Sequence, residues 1–233
     1  AALEAAKAEI EQIIDFKQDV KISLSFTNLD CDLSSAVLGA AGPQNAYRDF
    51  PGAPQSNVWY VSAQAADLGS TFAMEDSSHI GANFNHRLGA SDCLPGVTWY
   101  FGTDHNPGFN QIDFLSTAVH EFMHGLGFLS FVGPTGALLD GRMDNYSTFL
   151  VNNSTSKSWS IMTNGERATS ILNNNNLVWN GAKTTSMISL LQAGTTGGKA
   201  RLFAPSVYEG GSSTSHFDVS LLYDTNAHEV MEP

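Results

Sequence analysis

The sequence predicts an α+β protein whose ordered first half is followed by a less regular second half. Residues 2–16 repeat apolar side chains at helical spacing, and residues 114–126 contain the strongest helical pattern in the chain. Between these two helices, several short stretches have the composition or the alternation of strands. After Gly127 the patterns weaken, and residues 192–216 are rich in Gly, Ser and Thr, which is typical of loops.

Four stretches between the two helices predict strands. Residues 20–26 alternate apolar and polar side chains, as a half-buried strand does, and residues 58–61 and 97–101 are rich in aromatic and β-branched side chains. Residues 79–85 contain Asn and Gly, which favours a strand near the edge of a sheet. Residues 39–54 are rich in Gly and Pro and predict a loop.

The composition excludes several classes of protein. The chain has 233 residues, with 23 acidic and 11 basic side chains and a net charge of −12. Non-specific nucleic-acid binding and docking on anionic membranes both need a basic surface, so we expect neither partner. No apolar run approaches the roughly 18 residues that a membrane-spanning helix needs.

The two cysteines, Cys31 and Cys93, form either one disulfide or two unrelated buried thiols. Their spacing excludes a C-x-x-C redox or zinc pair. The low charge of the chain favours a secreted protein, and so do three glycosylation sequons, which begin at Asn145, Asn152 and Asn153. Because disulfides persist in oxidising compartments, we expect a Cys31–Cys93 disulfide and an extracellular location.

The predicted helix over residues 114–126 contains the segment His120-Glu121-Phe122-Met123-His124. Histidines four positions apart project from one face of a helix, so two imidazoles can hold one Zn²⁺. Glu121 would then be the general base that takes a proton from a water molecule. The H-E-x-x-H pattern also occurs by chance, but the apolar helix before it and the glycines after it favour a zinc site.

A catalytic zinc usually has three protein ligands, and the third is not fixed by this segment. The segment resembles the metzincin signature H-E-x-x-H-x-x-G-x-x-H, but Ser130 stands where that signature has its third histidine. His216, Glu166 and the pair Asp140 and Asp144 are the candidates, and only the resemblance to a family described below favours His216. Glu166 would make the site similar to thermolysin-like peptidases, and Asp140 or Asp144 would make it similar to deuterolysin-like aspzincins.

With His216 as the third ligand, the chain resembles the leishmanolysin-like metzincins, whose third histidine is displaced by an insertion. His216 lies in a Ser-His-aromatic context, and Met231 lies in a Val-Met-Glu-Pro segment that resembles the Met-turn beneath the zinc of these enzymes. The resemblance covers the helix motif and the last eighteen or so residues. It implies an upper lobe with a twisted mixed sheet and the active-site helix, and an irregular lower lobe.

The resemblance also implies a domain division and a function. We expect a single catalytic domain over residues 1–233, with an upper subdomain of residues 1–127 and a lower subdomain of residues 128–233. The function would be that of a secreted, monomeric zinc endopeptidase acting on proteins or peptides. Metzincins bind the substrate backbone along an edge strand, so residues 79–85 would line the cleft, with Gly81, Ala82 and Asn83 facing the peptide.

Two other classes of function are open at this point. A zinc-binding or adhesion domain that has lost its activity would share the histidines, although a structural zinc would not need Glu121. A zinc amidase or another non-peptide hydrolase would share the whole segment.

Overall fold

The computed structural model describes residues 1–190, 194–218 and 230–233, and its mixture of helices and strands confirms the α+β class. The helices are α1 (Ala2–Glu11), α2 (Ser62–Asp67), α3 (Thr71–Met74), α4 (Phe114–Gly125), α5 (Asn164–Ser170) and α6 (Ala182–Ser186). The strands are β1 (Ile22–Thr27), β2 (Gly39–Pro43), β3 (Ala46–Tyr47), β4 (Tyr60–Val61), β5 (Ile80–Asn85), β6 (Thr98–Tyr100), β7 (Gln111–Asp113), β8 (Leu150–Asn152), β9 (Lys157–Ser158), β10 (Leu177–Trp179), β11 (Thr195–Thr196) and β12 (Lys199–Arg201).

The chain divides into two compact units. The first consists of residues 1–53 and 61–126, and the second consists of residues 54–60 and 127–233.

In the first unit, helices α1 and α4 pack with a three-stranded mixed sheet in the order β1-β5-β2. Strand β5 runs parallel to β1 and antiparallel to β2. The core combines small residues of α1 with larger side chains of β5 and α4, and it includes Ala2, Ala6, Ile10, Phe84, Phe114, Leu115 and Phe122. Helix α1 ends earlier than predicted because Ile13 is 73% exposed and does not extend the apolar stripe into the core.

The prediction that residues 79–85 form an edge strand is wrong, because β5 is the central strand of this sheet. Gly81, Ala82 and Asn83 are paired with β1 on one side and with β2 on the other, so their backbone cannot pair with a substrate. The Asn residues that suggested an edge have side-chain hydrogen bonds to neighbouring protein groups. Ser25 Oγ donates to Asn83 Oδ1 at 2.5 Å, and Asn85 Nδ2 donates to the Val37 carbonyl at 2.9 Å.

The two edge strands are β1 and β2, and β2 lies inside the segment predicted as a loop. Its sequence, Gly-Ala-Ala-Gly-Pro, has no alternation and no β-branched side chain that could reveal a strand. The extended conformation is therefore stabilised by pairing with β5 rather than by local propensity.

The second unit contains a five-stranded antiparallel sheet in the order β11-β12-β10-β8-β9. This sheet differs from the irregular lower half that the sequence predicts. Its strands are two or three residues long, which is too short for a period of two to be visible. Its core includes Trp159, Leu150, Ile171, Leu177 and Leu202.

A disulfide joins Cys31 and Cys93 within the first unit, as predicted. In the part of the chain that the structure describes, no helix is long and apolar enough to cross a membrane.

Candidate metal centre

Helix α4, which carries the H-E-x-x-H segment, has a defined start and a defined end. The carboxylate of Asp113 caps its first turn by accepting hydrogen bonds from the backbone amides of Leu115 and Ser116. At the other end, Gly127 adopts a φ of +110°, a left-handed conformation that turns the chain away from the helix axis. The strong apolar face of α4 is buried against α1 and the sheet.

His120 and His124 lie one turn apart on α4, and their Nε2 atoms are 3.1 Å apart. Two nitrogens that bind one tetrahedral zinc at about 2.05 Å are separated by roughly 3.3 Å. The pair is thus close to the geometry that one ion requires. His124 is 8% exposed, so its ring orientation is fixed by packing as well as by the helix.

Glu121 lies between the two histidines on the helix and is 5% exposed. Burial raises the pKa of its carboxyl group to about 7, while a hydrogen bond from the Ala41 backbone amide opposes this shift. A β-carbon added at Gly39 would lie 2.6 Å from Glu121 Oε1. Strand β2 therefore both orients this carboxylate and leaves room for it.

His216 lies in the second unit, and it is 4% exposed. Its Nδ1 lies 2.9 Å from the carbonyl oxygen of Ser212, and its own carbonyl accepts a hydrogen bond from the Phe203 amide. An Nδ1–H that donates to a carbonyl fixes the tautomer in which Nε2 is the ring nitrogen that can bind an ion.

The structure brings His120, His124 and His216 close enough to bind a metal ion: one ligand atom from each lies within 4.8 Å of the others. It is the one group of three or more metal-ligating side chains of this kind within residues 1–190, 194–218 and 230–233. Three imidazoles suit Zn²⁺ and several other divalent transition metals. The donor set therefore fits the metal that the sequence predicts, although it does not by itself identify the metal.

The other candidates for the third ligand are placed differently. Asp144 is 3% exposed, and its carboxylate accepts hydrogen bonds from the backbone amides of Ser147 and Phe131 at 2.7 and 3.0 Å. Glu166 forms a capping box at the start of α5. Asp140 is exposed on a turn. None of the three belongs to the histidine group.

Ser130, which stands at the position of the third histidine in the short metzincin signature, contacts the segment that carries His216. Its backbone amide donates to Ser215 Oγ at 3.2 Å. Met231 is 5% exposed, and its carbonyl accepts a hydrogen bond from the Phe217 amide at 2.8 Å. The proposed Met-turn residue is therefore bonded to the residue that follows His216. His228, a further histidine three positions before Met231, lies outside the described residues.

Gly39 and Ala41 are the site residues that the sequence analysis missed. Gly39 contributes the space left by its lack of a side chain, and Ala41 contributes its backbone amide. Neither contribution can be recognised from the residue type. Comparisons of the chain with protein-family models, with curated proteins and with solved structures find no match. The function must therefore be inferred from the three histidines and Glu121.

Proposed function

We propose that this protein is a secreted zinc endopeptidase of the leishmanolysin-like metzincin type. The observation that carries the proposal is the group formed by His120, His124 and His216, with the buried Glu121 on the same helix turn as the first two. A structural zinc site is usually closed by four protein ligands, whereas a catalytic site has three and keeps one position open. Three histidines beside a carboxylate fit the second type.

The three histidines would hold the ion through ring nitrogens, with the Ser212 carbonyl orienting His216. Bound zinc supplies Lewis acidity, which lowers the pKa of water towards about 7 and polarises a carbonyl group. Glu121 takes the proton from the attacking water and delivers it to the leaving amine. The Ala41 amide orients the Glu121 carboxylate for both transfers.

Strand β2 replaces β5 as the strand that would align the substrate. It is at the edge of the described sheet, and its Ala41 amide already contacts the proposed base. An extended peptide can add to such an edge through backbone hydrogen bonds. The sequence of β2 has no bulky side chain that would obstruct it.

The disulfide supports secretion, since such bonds persist in oxidising compartments and are rare in the cytosol. We expect a monomer that acts on protein or peptide substrates.

The metal is tested by measuring zinc content by mass spectrometry after dialysis against a weak chelator. The parent protein should retain about one zinc per chain, and His216→Ala should lose most of it. The matched control is His86→Ala, because His86 is an exposed histidine outside the group. Retention of zinc by His216→Ala would exclude His216 as a ligand and leave the aspzincin-like alternative.

The reaction is tested with an unstructured protein substrate such as casein. Glu121→Gln should keep its zinc and lose nearly all hydrolysis, because the amide cannot accept the proton. Glu75→Gln, which changes an exposed glutamate, should retain full activity. Zinc binding by the parent without hydrolysis of any peptide would favour a zinc-binding domain that has lost its activity.

A further inference from the structure

Tyr146 is a buried tyrosine outside the proposed catalytic residues, and it contacts the chain two residues before His216. It is 4% exposed, and its Oη donates a hydrogen bond to the Thr214 carbonyl at 2.8 Å. Burial, together with the nearby Asp144 carboxylate, raises the pKa of Tyr146 well above its ordinary value. The phenol therefore remains a hydrogen-bond donor at any physiological pH.

The residue that accepts this bond has an unusual backbone conformation. Thr214 has a φ of +69°, in the left-handed region that β-branched residues rarely adopt. Its side chain is 2% exposed, and its backbone is held from two sides. Tyr146 Oη donates to its carbonyl, and its amide donates to the Phe203 carbonyl at 2.7 Å.

A second contact connects the same part of the chain to Ser215. The Ser130 amide donates to Ser215 Oγ, and Ser130 Oγ lies 2.7 Å from Ser147 Oγ. Ser147 follows Tyr146 directly, and its amide donates to the buried Asp144 carboxylate. The turn of residues 144–147 thus reaches both residues that precede His216, directly at Thr214 and through Ser130 at Ser215.

We propose that Tyr146 is a positioning residue for the third metal ligand. By holding Thr214 in its left-handed conformation, Tyr146 keeps the Ser215–His216 segment in the position from which the His216 ring binds the ion. The site is then organised before the metal arrives, and less order has to be created on binding. The inference rests on the proposed metal site but not on peptide hydrolysis.

The test compares Tyr146→Phe with Tyr60→Phe. Both side chains are buried and both hydroxyl groups form hydrogen bonds, since Tyr60 Oη accepts a hydrogen bond from the Gln55 amide at 3.1 Å. The affinity for Zn²⁺ is measured by competition with a chromogenic chelator, and unfolding in urea is measured in parallel. Both variants should lose stability, but only Tyr146→Phe should bind Zn²⁺ about tenfold or more weakly, as is typical when a partner of a metal ligand is removed.

The outcomes separate this inference from the proposed function. If the parent protein binds Zn²⁺ and Tyr146→Phe binds it as tightly, Tyr146 is only structural and the inference is overturned, while the metal site stands. If the parent protein binds no Zn²⁺, the metal site itself fails. Should Tyr146→Phe not fold, Ser215→Ala removes the other contact to the segment. Weaker binding by this variant is expected, and unchanged affinity would contradict the proposal.

Discussion

Gly39 in strand β2 leaves the space that the side chain of Glu121, the proposed general base, occupies. A β-carbon at this position would lie 2.6 to 2.9 Å from three atoms of the Glu121 side chain, which is closer than real β-carbons approach other atoms. The Glu121 carboxylate also accepts a hydrogen bond from the Ala41 amide, so it cannot move away from Gly39 without losing this bond. A methyl group at Gly39 should therefore move the carboxylate.

We predict that Gly39→Ala lowers kcat for peptide hydrolysis by at least about tenfold, since one ångström of displacement can cost up to about a hundredfold. Zinc content should be unchanged, because no histidine contact is altered. The control is Gly42→Ala in the same strand, where an added β-carbon meets no atom within 4 Å. Equal kcat values for the two variants would contradict the steric explanation.

Site residues can be predicted from the sequence where a fixed spacing places their side chains on one part of a single element. His120, Glu121 and His124 satisfy this condition because they share one helix. His216 lies 92 positions after His124, so only the resemblance to a family pointed to it. Gly39 and Ala41 contribute space and a backbone amide, and these leave no mark in the identity of the side chains.

At the scale of elements, His105 joins helix α1 to the start of helix α4. Its Nε2 lies 2.8 Å from Glu9 of α1, and its Nδ1 lies 2.7 Å from Asp113, which caps α4. Hydrogen bonds that His105 donates to the carboxylates of Glu9 and Asp113 raise its pKa, although partial burial opposes the shift. Protonation of this histidine therefore strengthens the connection between the two helices.

The raised pKa fixes the sign of a pH effect on stability. The contribution is fully present below the unfolded pKa of about 6.5 and is lost as pH rises through the higher folded pKa. We predict that His105→Gln lowers the free energy of unfolding by up to about 1 kcal/mol at pH 6 and by less at alkaline pH. The effect is limited because the His105–Glu9 pair is partly exposed to solvent. Urea unfolding of both proteins across this range measures the difference. A difference that does not change with pH would contradict the ion-pair account.

The helix cap gives a second prediction at this scale. Asp113→Ala removes the acceptor for two amides of the first turn and should cost about 1 to 2 kcal/mol of stability. Asp113→Asn keeps a capping oxygen and serves as the matched control. Thermal unfolding distinguishes them, and equal losses would show that the cap contributes little beyond the charge.

Elements were predicted well where the pattern is long and poorly where it is short. Helix α4 was expected over residues 114–126 and is found over residues 114–125, since twelve residues contain several helical turns. Strand β2 and the strands of the second sheet have two to five residues, and their conformation depends on partners that are distant in sequence. Strand β5 is predicted near an edge but lies at the centre of its sheet, because Asn side chains can form hydrogen bonds to neighbouring groups there.

At the scale of the whole molecule, the disulfide and the proposed metal site involve different parts of the chain. Cys31 and Cys93 are 62 positions apart, and closing a loop of that length stabilises by about 4 kcal/mol in the chain-entropy model. We predict that Cys31→Ser/Cys93→Ser loses about 2 to 4 kcal/mol in urea unfolding. The variant should bind zinc as the parent does once folded. A loss of zinc by the folded variant would contradict the separation of the two constraints.

A metal that binds only the folded protein stabilises it by mass action. At free zinc one hundred times the Kd, the gain is about 2.7 kcal/mol. We predict that a strong chelator lowers the Tm of the parent protein, whereas the Tm of His216→Ala does not respond. A response of equal size in the variant would show that the stabilising ion lies elsewhere.

The α+β class could be predicted from the sequence, but the second sheet could not, because no long pattern exists after Gly127.

The distance in sequence between His124 and His216 also has a consequence for biosynthesis. When a ribosome has added His124, the nascent chain has two of the three proposed ligands, and 92 further residues must be added before the third exists. A two-histidine site binds divalent metals more weakly and less selectively than a three-histidine site. At the proposed site, selection of the ion would therefore wait until His216 has been translated.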